Sequence, residues 1–250
     1  PAPTDANQWF IFNKQQLGYY RVNYDAANWN ALINTLNSVD FDKIHVLNRV
    51  QLIDDAVNLA AGGYLDYQVL FDILGYLEHE TEYTPWFVAD RFFTTLYTTF
   101  GPKNENLNTL LQHLSAEFYY QFKVSEDGVI PMEETYERYG RELATKIACN
   151  AGNQLCLEDT FVQNHLLING GIDVPKGLEN VIYCNGFRYA DVPEEDWVKM
   201  WQLMQNTEDA TFKSRSLSAL GCTSNTGLLQ SYMESSTAYG RTFNYTMTER

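Results

Sequence analysis

The chain has 250 residues, 45% of them apolar and 14% aromatic, which is material for a sizeable core and excludes a disordered class. Seventeen basic against thirty-two acidic residues give a net charge of −15. That balance argues against nucleic acid or anionic lipid as a partner, since both are gripped through clustered Lys and Arg. No stretch approaches the roughly 18 uninterrupted apolar residues of a bilayer-crossing helix. The chain opens at Pro1 with no charged-then-apolar leader, as expected of a processed chain or a piece cut from a longer one.

Residues 1–27 carry strand chemistry. Trp9-Phe10-Ile11-Phe12 is a short aromatic run, and Tyr20, Val22 and Tyr24 alternate with Arg21 and Asn23 across Gly18, which predicts one β-hairpin. A lone hairpin is marginal in water, so these strands either belong to a larger sheet, as the end of a β domain, or dock onto helices.

From Asn28 the period turns helical. Trp29, Leu32, Ile33 and Leu36 form a first stripe. Val46, Val50, Ile53, Val57 and Ala60 form a second, widened by Leu52, Ala56 and Leu59 and stopped at Gly62-Gly63. Leu70, Leu74 and Leu77 follow. Thr84-Pro85 reads as an N-cap with proline at the first helical position, before Ala89, Phe93, Leu96 and Phe100. Leu107, Leu110, Leu111, Leu114 and Phe118 make the next helix. A polar break from Ser125 to Pro131 precedes Tyr136, Leu143 and Ile147. Further helices are predicted near 157–169, 175–184, 193–206, 209–220 and 226–235, with starts at Val174-Pro175 and Val192-Pro193. Helices joined by short turns pack antiparallel, so the predicted fold is mainly α. It is an irregular α-solenoid of HEAT- or armadillo-like helix pairs over residues 28–250, preceded by the hairpin remnant of a β-sandwich over 1–27. A compact helical bundle is the alternative.

The four cysteines, Cys149, Cys156, Cys184 and Cys222, admit three pairings. Cys149 and Cys156 flank one turn, close enough to bridge, which would leave Cys184 with Cys222. Loop entropy would then contribute about 2.5 and about 4 kcal/mol respectively. Spacing leaves open both these bridges and four buried thiols, and weighs against a Cys3His zinc site using His165. Asn244-Tyr245-Thr246 is a glycosylation sequon.

No catalytic or metal-ligating set emerges. His79-Glu80-Thr81-Glu82-Tyr83 begins like the zincin sequence H-E-x-x-H, in which two histidines one turn apart bind zinc and the glutamate activates water, but Tyr83 stands where the second ligand would be. Nucleophile elbows, Walker loops and dinucleotide fingerprints are also missing. The residues alone predict no catalytic residue, no metal site and no cofactor bound by this chain.

Several phrases nonetheless resemble the C-terminal region of the M1 family of zinc aminopeptidases, the aminopeptidase N group in particular. Gly18-Tyr19-Tyr20-Arg21-Val22-Asn23-Tyr24-Asp25 with Asn28-Trp29 resembles the hand-over from the family's β-sandwich to its helical domain. Asn48-Arg49-Val50-Gln51-Leu52-Ile53-Asp54-Asp55-Ala56 and Tyr83-Thr84-Pro85-Trp86 follow in the family's order. Cys149 with Cys156, then Tyr183-Cys184-Asn185 and Cys222, are similar to its two disulfides.

The resemblance implies both disulfides, and a parent ectoenzyme that removes N-terminal residues from peptides with zinc held by a preceding catalytic domain. This chain would be the noncatalytic part that caps the chamber. Its partners would be the missing N-terminal and catalytic domains and peptide substrates. A narrower likeness to insect midgut aminopeptidases implies a GPI anchor at the extracellular face of the plasma membrane and bacterial pore-forming toxins as partners. The competing reading is a secreted α-solenoid that binds protein and has no peptidase activity.

Overall fold

The computed structural model describes residues 8–123, 135–171, 174 and 177–239. They divide into two compact units, Pro1–Lys123 with Glu134–Ala151, and Val124–Glu133 with Gly152–Arg250.

The first unit contains six helices: α1 (Ala26–Leu36), α2 (Val46–Ala61), α3 (Tyr67–Leu74), α4 (Tyr83–Phe100), α5 (Glu105–Phe122) and α6 (Thr135–Asn150), with 3-10 turns at Lys14–Gln16, Phe41–Lys43 and Gly75–His79. Leu32, Leu36, Leu52, Ile53, Leu70, Leu74, Leu77, Phe93, Leu111 and Phe118 close the core, as their periodicity predicts. Trp86 is fully buried and stacks on Phe118 with centroids 5.0 Å apart, while its indole N–H donates to the Glu80 carbonyl at 2.7 Å. Phe100, in the last turn of α4, is instead exposed.

Acidic and amide residues cap the helices. Asp25, Asp66 and Asn104 accept backbone N–H groups at the starts of α1, α3 and α5, which places part of the negative charge where helix dipoles favour it. α4 begins two residues earlier than its sequence signal. Glu82 is the N-cap, and Pro85 falls two residues beyond the first helical position, still among the N–H groups that a helix leaves unpaired.

The second unit contains α7 (Gln154–Ile168), α8 (Glu179–Arg188), α9 (Glu194–Asn206), α10 (Ala210–Leu220) and α11 (Thr226–Tyr239). Its core gathers Ile168, Leu178, Ile182, Phe187, Trp197, Met200, Met204 and Leu220. α7 lies so close to α8 that a Cβ on Gly186 would sit 2.7 Å from the Asn164 Cβ and 2.9 Å from the Thr160 carbonyl oxygen. α8 runs four residues later than the predicted 175–184, because Gly177 at φ 97° occupies backbone space that a helix does not use. Pro175 and the whole Ser125–Pro131 break lie outside the described residues.

The predicted hairpin is not formed. Among the described residues there is no strand, and residues 8–24 run as an irregular arm, turned at Lys14–Gln16, over α1 and α2. The reason lies in where the backbone groups find partners. Phe10 exchanges two hydrogen bonds with the Asn28 side chain, the Phe12 N–H donates to the Tyr24 hydroxyl, and Gln51 Nε2 donates to the Phe12 carbonyl. Side chains of α1, α2 and the arm itself replace the second strand.

Candidate functional site

The segment 79–83 is the zincin-like phrase of the sequence. His79 is exposed at the end of a 3-10 turn, whereas the Glu80 carboxylate is buried. Arg49 grips it through both oxygens, Nε to Oε2 at 2.7 Å and Nη2 to Oε1 at 3.2 Å. Tyr76 donates to Oε2 and the Glu82 N–H to Oε1, while Arg49 Nη1 donates to the Ile44 carbonyl. Burial acts to lower the Arg49 pKa, but hydrogen bonding and attraction to Glu80 outweigh it and the net shift is upward. Burial, then the Glu80 charge, raises the Tyr76 phenol well above its ordinary value. A carboxylate held on both oxygens cannot also activate a metal-bound water, so zinc does not fit here and no chemistry is routed through it. Among the described residues no group of three His, Cys, Asp or Glu is placed to hold a metal.

The cysteines are likewise committed. Cys184, in α8, is joined to Cys222, just past α10, with Cα atoms 5.3 Å apart. Cys149 and Cys156 are oxidised too, so none of the four offers a thiolate to a metal. His165 instead places Nδ1 2.6 Å from the buried Asp196 carboxylate. Asn244 lies outside the described residues.

What remains is a polar clasp between the arm and α2. Asn48, Gln51 and Asp55 recur at i, i+3 and i+7, so they share one face of α2, and all three are buried. Asn48 Oδ1 accepts the Gln15 N–H at 2.8 Å, Gln51 takes the Phe12 carbonyl, and Asp55 Oδ2 accepts the Val22 N–H at 3.2 Å. Arg21 reaches Asp54 at 2.7 Å and Asp55 at 3.3 Å. Asn23 accepts from the Trp29 indole and donates to the Tyr64 carbonyl. Burial raises the Asp55 carboxyl pKa, and the Val22 N–H and Arg21 only partly offset it.

The arm is bent to fit. Asn13, Gln15 and Gln16 adopt left-handed φ values of 52°, 60° and 54°, a conformation costly for non-glycine residues unless contacts enforce it. Asn13 enforces it by bonding the backbone of Gly18 and Tyr20 through its side chain. Beside the arm, a cleft of about 320 Å³ is lined by Trp9, Asn34, Thr35, Ser38, Asp40 and Lys43.

The sequence phrases 18–25 and 48–56 are thus the two halves of one contact. Neither phrase on its own reveals that it pairs with the other. The available signal was the helical spacing of Asn48, Gln51 and Asp55 beside an apolar stripe.

A family model of the ERAP1-like C-terminal domain matches residues 9–244, which takes in the arm, the clasp and every described helix. The chain belongs to that family. Relatives of the ERAP1-like domain include an aminopeptidase N of Plutella xylostella, 37% identical over 87% of this chain, and a membrane alanyl aminopeptidase of Manduca sexta, 32% identical over 92%. A thyrotropin-releasing hormone-degrading ectoenzyme of Rattus norvegicus is 30% identical over 90%. The ERAP1-like chain covers 23%, 23% and 21% of those three proteins, less than a quarter of each. Among its described residues no helix is long and apolar enough to cross a membrane.

Proposed function

We propose that this chain is the noncatalytic C-terminal part of a zinc aminopeptidase that removes N-terminal residues from peptides at the extracellular face of a membrane. The observation that carries the reading is the family match across residues 9–244, together with relatives named as aminopeptidases of which the chain covers 23% each. In this reading zinc and the reacting groups belong to a preceding part of the same polypeptide, and the helices stack as an irregular solenoid that walls the peptide chamber. Packing of sequence neighbours, α5 on α6, α7 on α8 and α9 on α10, supports such stacking. A wall of this kind excludes water and limits which peptides enter without supplying a ligand or a base.

Residues 1–27 are then the end of the preceding domain, and the clasp fixes where that domain leaves the helices. Oxidised cysteines and the Asn244 sequon fit an ectoprotein, with both disulfides formed in the mature chain. The reading extends to a GPI anchor and to bacterial pore-forming toxins as partners on the sequence's likeness to insect midgut aminopeptidases.

The test is turnover of alanine p-nitroanilide. The chain alone is expected to give none with zinc present, and the full-length parent is expected to give zinc-dependent hydrolysis. Turnover by the chain alone, or an inactive full-length parent, would overturn the reading.

A further inference from the structure

The dipeptide Asn-Gly occurs twice in the chain, at Asn169-Gly170 and at Asn185-Gly186. It is the least hindered setting for a reaction of the chain with itself, because no Cβ crowds the glycine nitrogen. That nitrogen adds to the asparagine Cγ, the Cγ–Nδ2 bond breaks, and Nδ2 leaves as ammonia with the proton that the glycine nitrogen gives up. Water then opens the resulting succinimide at either carbonyl, and aspartate or isoaspartate remains. No further reagent is consumed.

The two sites differ in the geometry that governs this attack. Asn185 is buried inside α8, where its Nδ2 donates to the Val181 carbonyl at 2.8 Å and its Oδ1 accepts from Arg188 at 3.1 Å. Gly186 beside it is pressed against α7. Ring closure there would have to break a packed helix from within. Asn169 and Gly170 are exposed and lie past the last residue of α7, with Asn169 at φ −95° and ψ 14° and Gly170 at φ 77°. The Gly170 N–H donates to the Leu167 carbonyl at 3.1 Å, a turn bond open to water.

The side chains around Asn169 suit the reaction. Lys199 Nζ donates to Oδ1 at 2.7 Å, and Oδ1 is the oxygen on which negative charge gathers as Cγ becomes tetrahedral. His165 Nδ1, 3.3 Å from Nδ2, stands where a proton can pass to the departing amine. The buried Asp196 carboxylate lies 2.6 Å from the same ring nitrogen and orients it.

The product would change what holds α7 to α9. Asn169 Nδ2 donates to Asp196 Oδ1 at 3.3 Å. Deamidation puts a carboxylate oxygen in place of that amide, so a buried acceptor loses its donor and meets a like charge.

We propose that Asn169-Gly170 is a self-modification site that deamidates in the folded protein through a succinimide, with Lys199 polarising the amide, and that the acidic product weakens the junction of α7 and α9. All of these groups lie in the second unit, so the inference stands apart from the aminopeptidase reading.

The experiment ages the 250-residue chain in mildly alkaline buffer, folded and in urea with disulfides intact, and follows both asparagines by proteolysis and mass spectrometry, with isoaspartyl methyltransferase labelling of the isoaspartate. In the folded chain Asn169 is expected to convert and Asn185 to remain an amide, whereas in urea both should convert at similar rates. Lys199→Met should slow Asn169 about tenfold in the folded chain, the size of one hydrogen bond from a charged donor, and leave its rate in urea unchanged. Lys199→Arg, which keeps a charged donor, should recover most of the loss. Asn169→Asp, the aspartate product made directly, should unfold at a lower temperature than the wild type. An Asn169 that stays intact in the folded chain, equal rates for the two asparagines there, an unchanged folded-state rate in Lys199→Met, or an Asn169→Asp variant as stable as the wild type would overturn the proposal. The comparison of Asn169 with Asn185 needs no variant, so it stands whatever Lys199→Met does to folding.

Discussion

The Val22 backbone N–H is paired with the Asp55 carboxylate, 33 residues along the chain, at 3.2 Å inside the protein. An extended segment normally gives such a group to a neighbouring strand. Here a helix side chain receives it, and the difference between Asp55→Ala and Asp55→Asn measures what that substitution contributes. Alanine leaves a buried N–H without an acceptor and is expected to cost about 1–3 kcal/mol. Asparagine retains a carbonyl oxygen for Val22, loses the attraction to Arg21, and is expected to cost less. Urea unfolding of both variants at neutral pH checks the order.

Asp55 also carries a pH signature. Its carboxyl pKa is raised in the folded chain, chiefly by burial, so the native state holds the proton more tightly than the unfolded state does. Stability from this group is therefore fully present below the ordinary unfolded value of about 3.9 and falls as pH rises from there through the raised folded value. The stability of the wild type minus that of Asp55→Asn should accordingly increase as pH is lowered through that window. A difference that shrinks on acidification would show that Arg21, not burial, dominates the site.

Arg49 and Glu80 form a buried bidentate pair, and removing one partner strands the other's charge. Arg49→Met or Glu80→Gln alone is expected to cost about 3–5 kcal/mol. The double variant Arg49→Met/Glu80→Gln should cost clearly less than the two together. A double-mutant cycle in guanidinium chloride gives the coupling directly, and additive losses would mean the two residues act independently.

Gly186→Ala should destabilise the second unit by about 1–3 kcal/mol, the usual range for overpacking. Alanine improves helix propensity by about 1 kcal/mol, but the new methyl meets the Thr160 carbonyl, which is main chain and cannot swing away. A rise in Tm for Gly186→Ala would mean that α7 and α8 can separate at little cost.

Reduction of the bridge between Cys184 and Cys222, or the pair Cys184→Ala/Cys222→Ala, should lower stability by about 4 kcal/mol if loop entropy over a separation of 38 residues governs it. Thermal unfolding of the Cys184→Ala/Cys222→Ala variant beside the wild type, both without reductant, reads the loss.

The helices were legible because their apolar stripes are long and regular. Leu107, Leu111, Leu114 and Phe118 can only be one face of α5, and they are buried as such. The arm misled for a local reason. Tyr20, Val22 and Tyr24 alternate as a strand does, but the Val22 N–H goes to Asp55 of α2, too far along the chain for a periodicity window to see, and the Tyr20 carbonyl accepts from the Asn13 side chain. The start of α8 misled because Val174-Pro175 imitates a helix entry, while the left-handed Gly177 postpones the helix to Glu179. The polar face of α2 was hidden by its company. Stripe counting favours Val50 and Val57, which are only half-buried, over Asn48, Gln51 and Asp55, which are buried completely or nearly so. The family phrases marked these residues without saying that each half recognises the other.

Glu80 meets Arg49 of α2 through its carboxylate and Trp86 of α4 through its carbonyl, immediately before α4 begins. Those two helices therefore cannot fray one at a time. Amide hydrogens in the middle of α2 and of α4 should exchange with solvent at matched rates, through a single opening event, and weakening this one residue should accelerate both sets together.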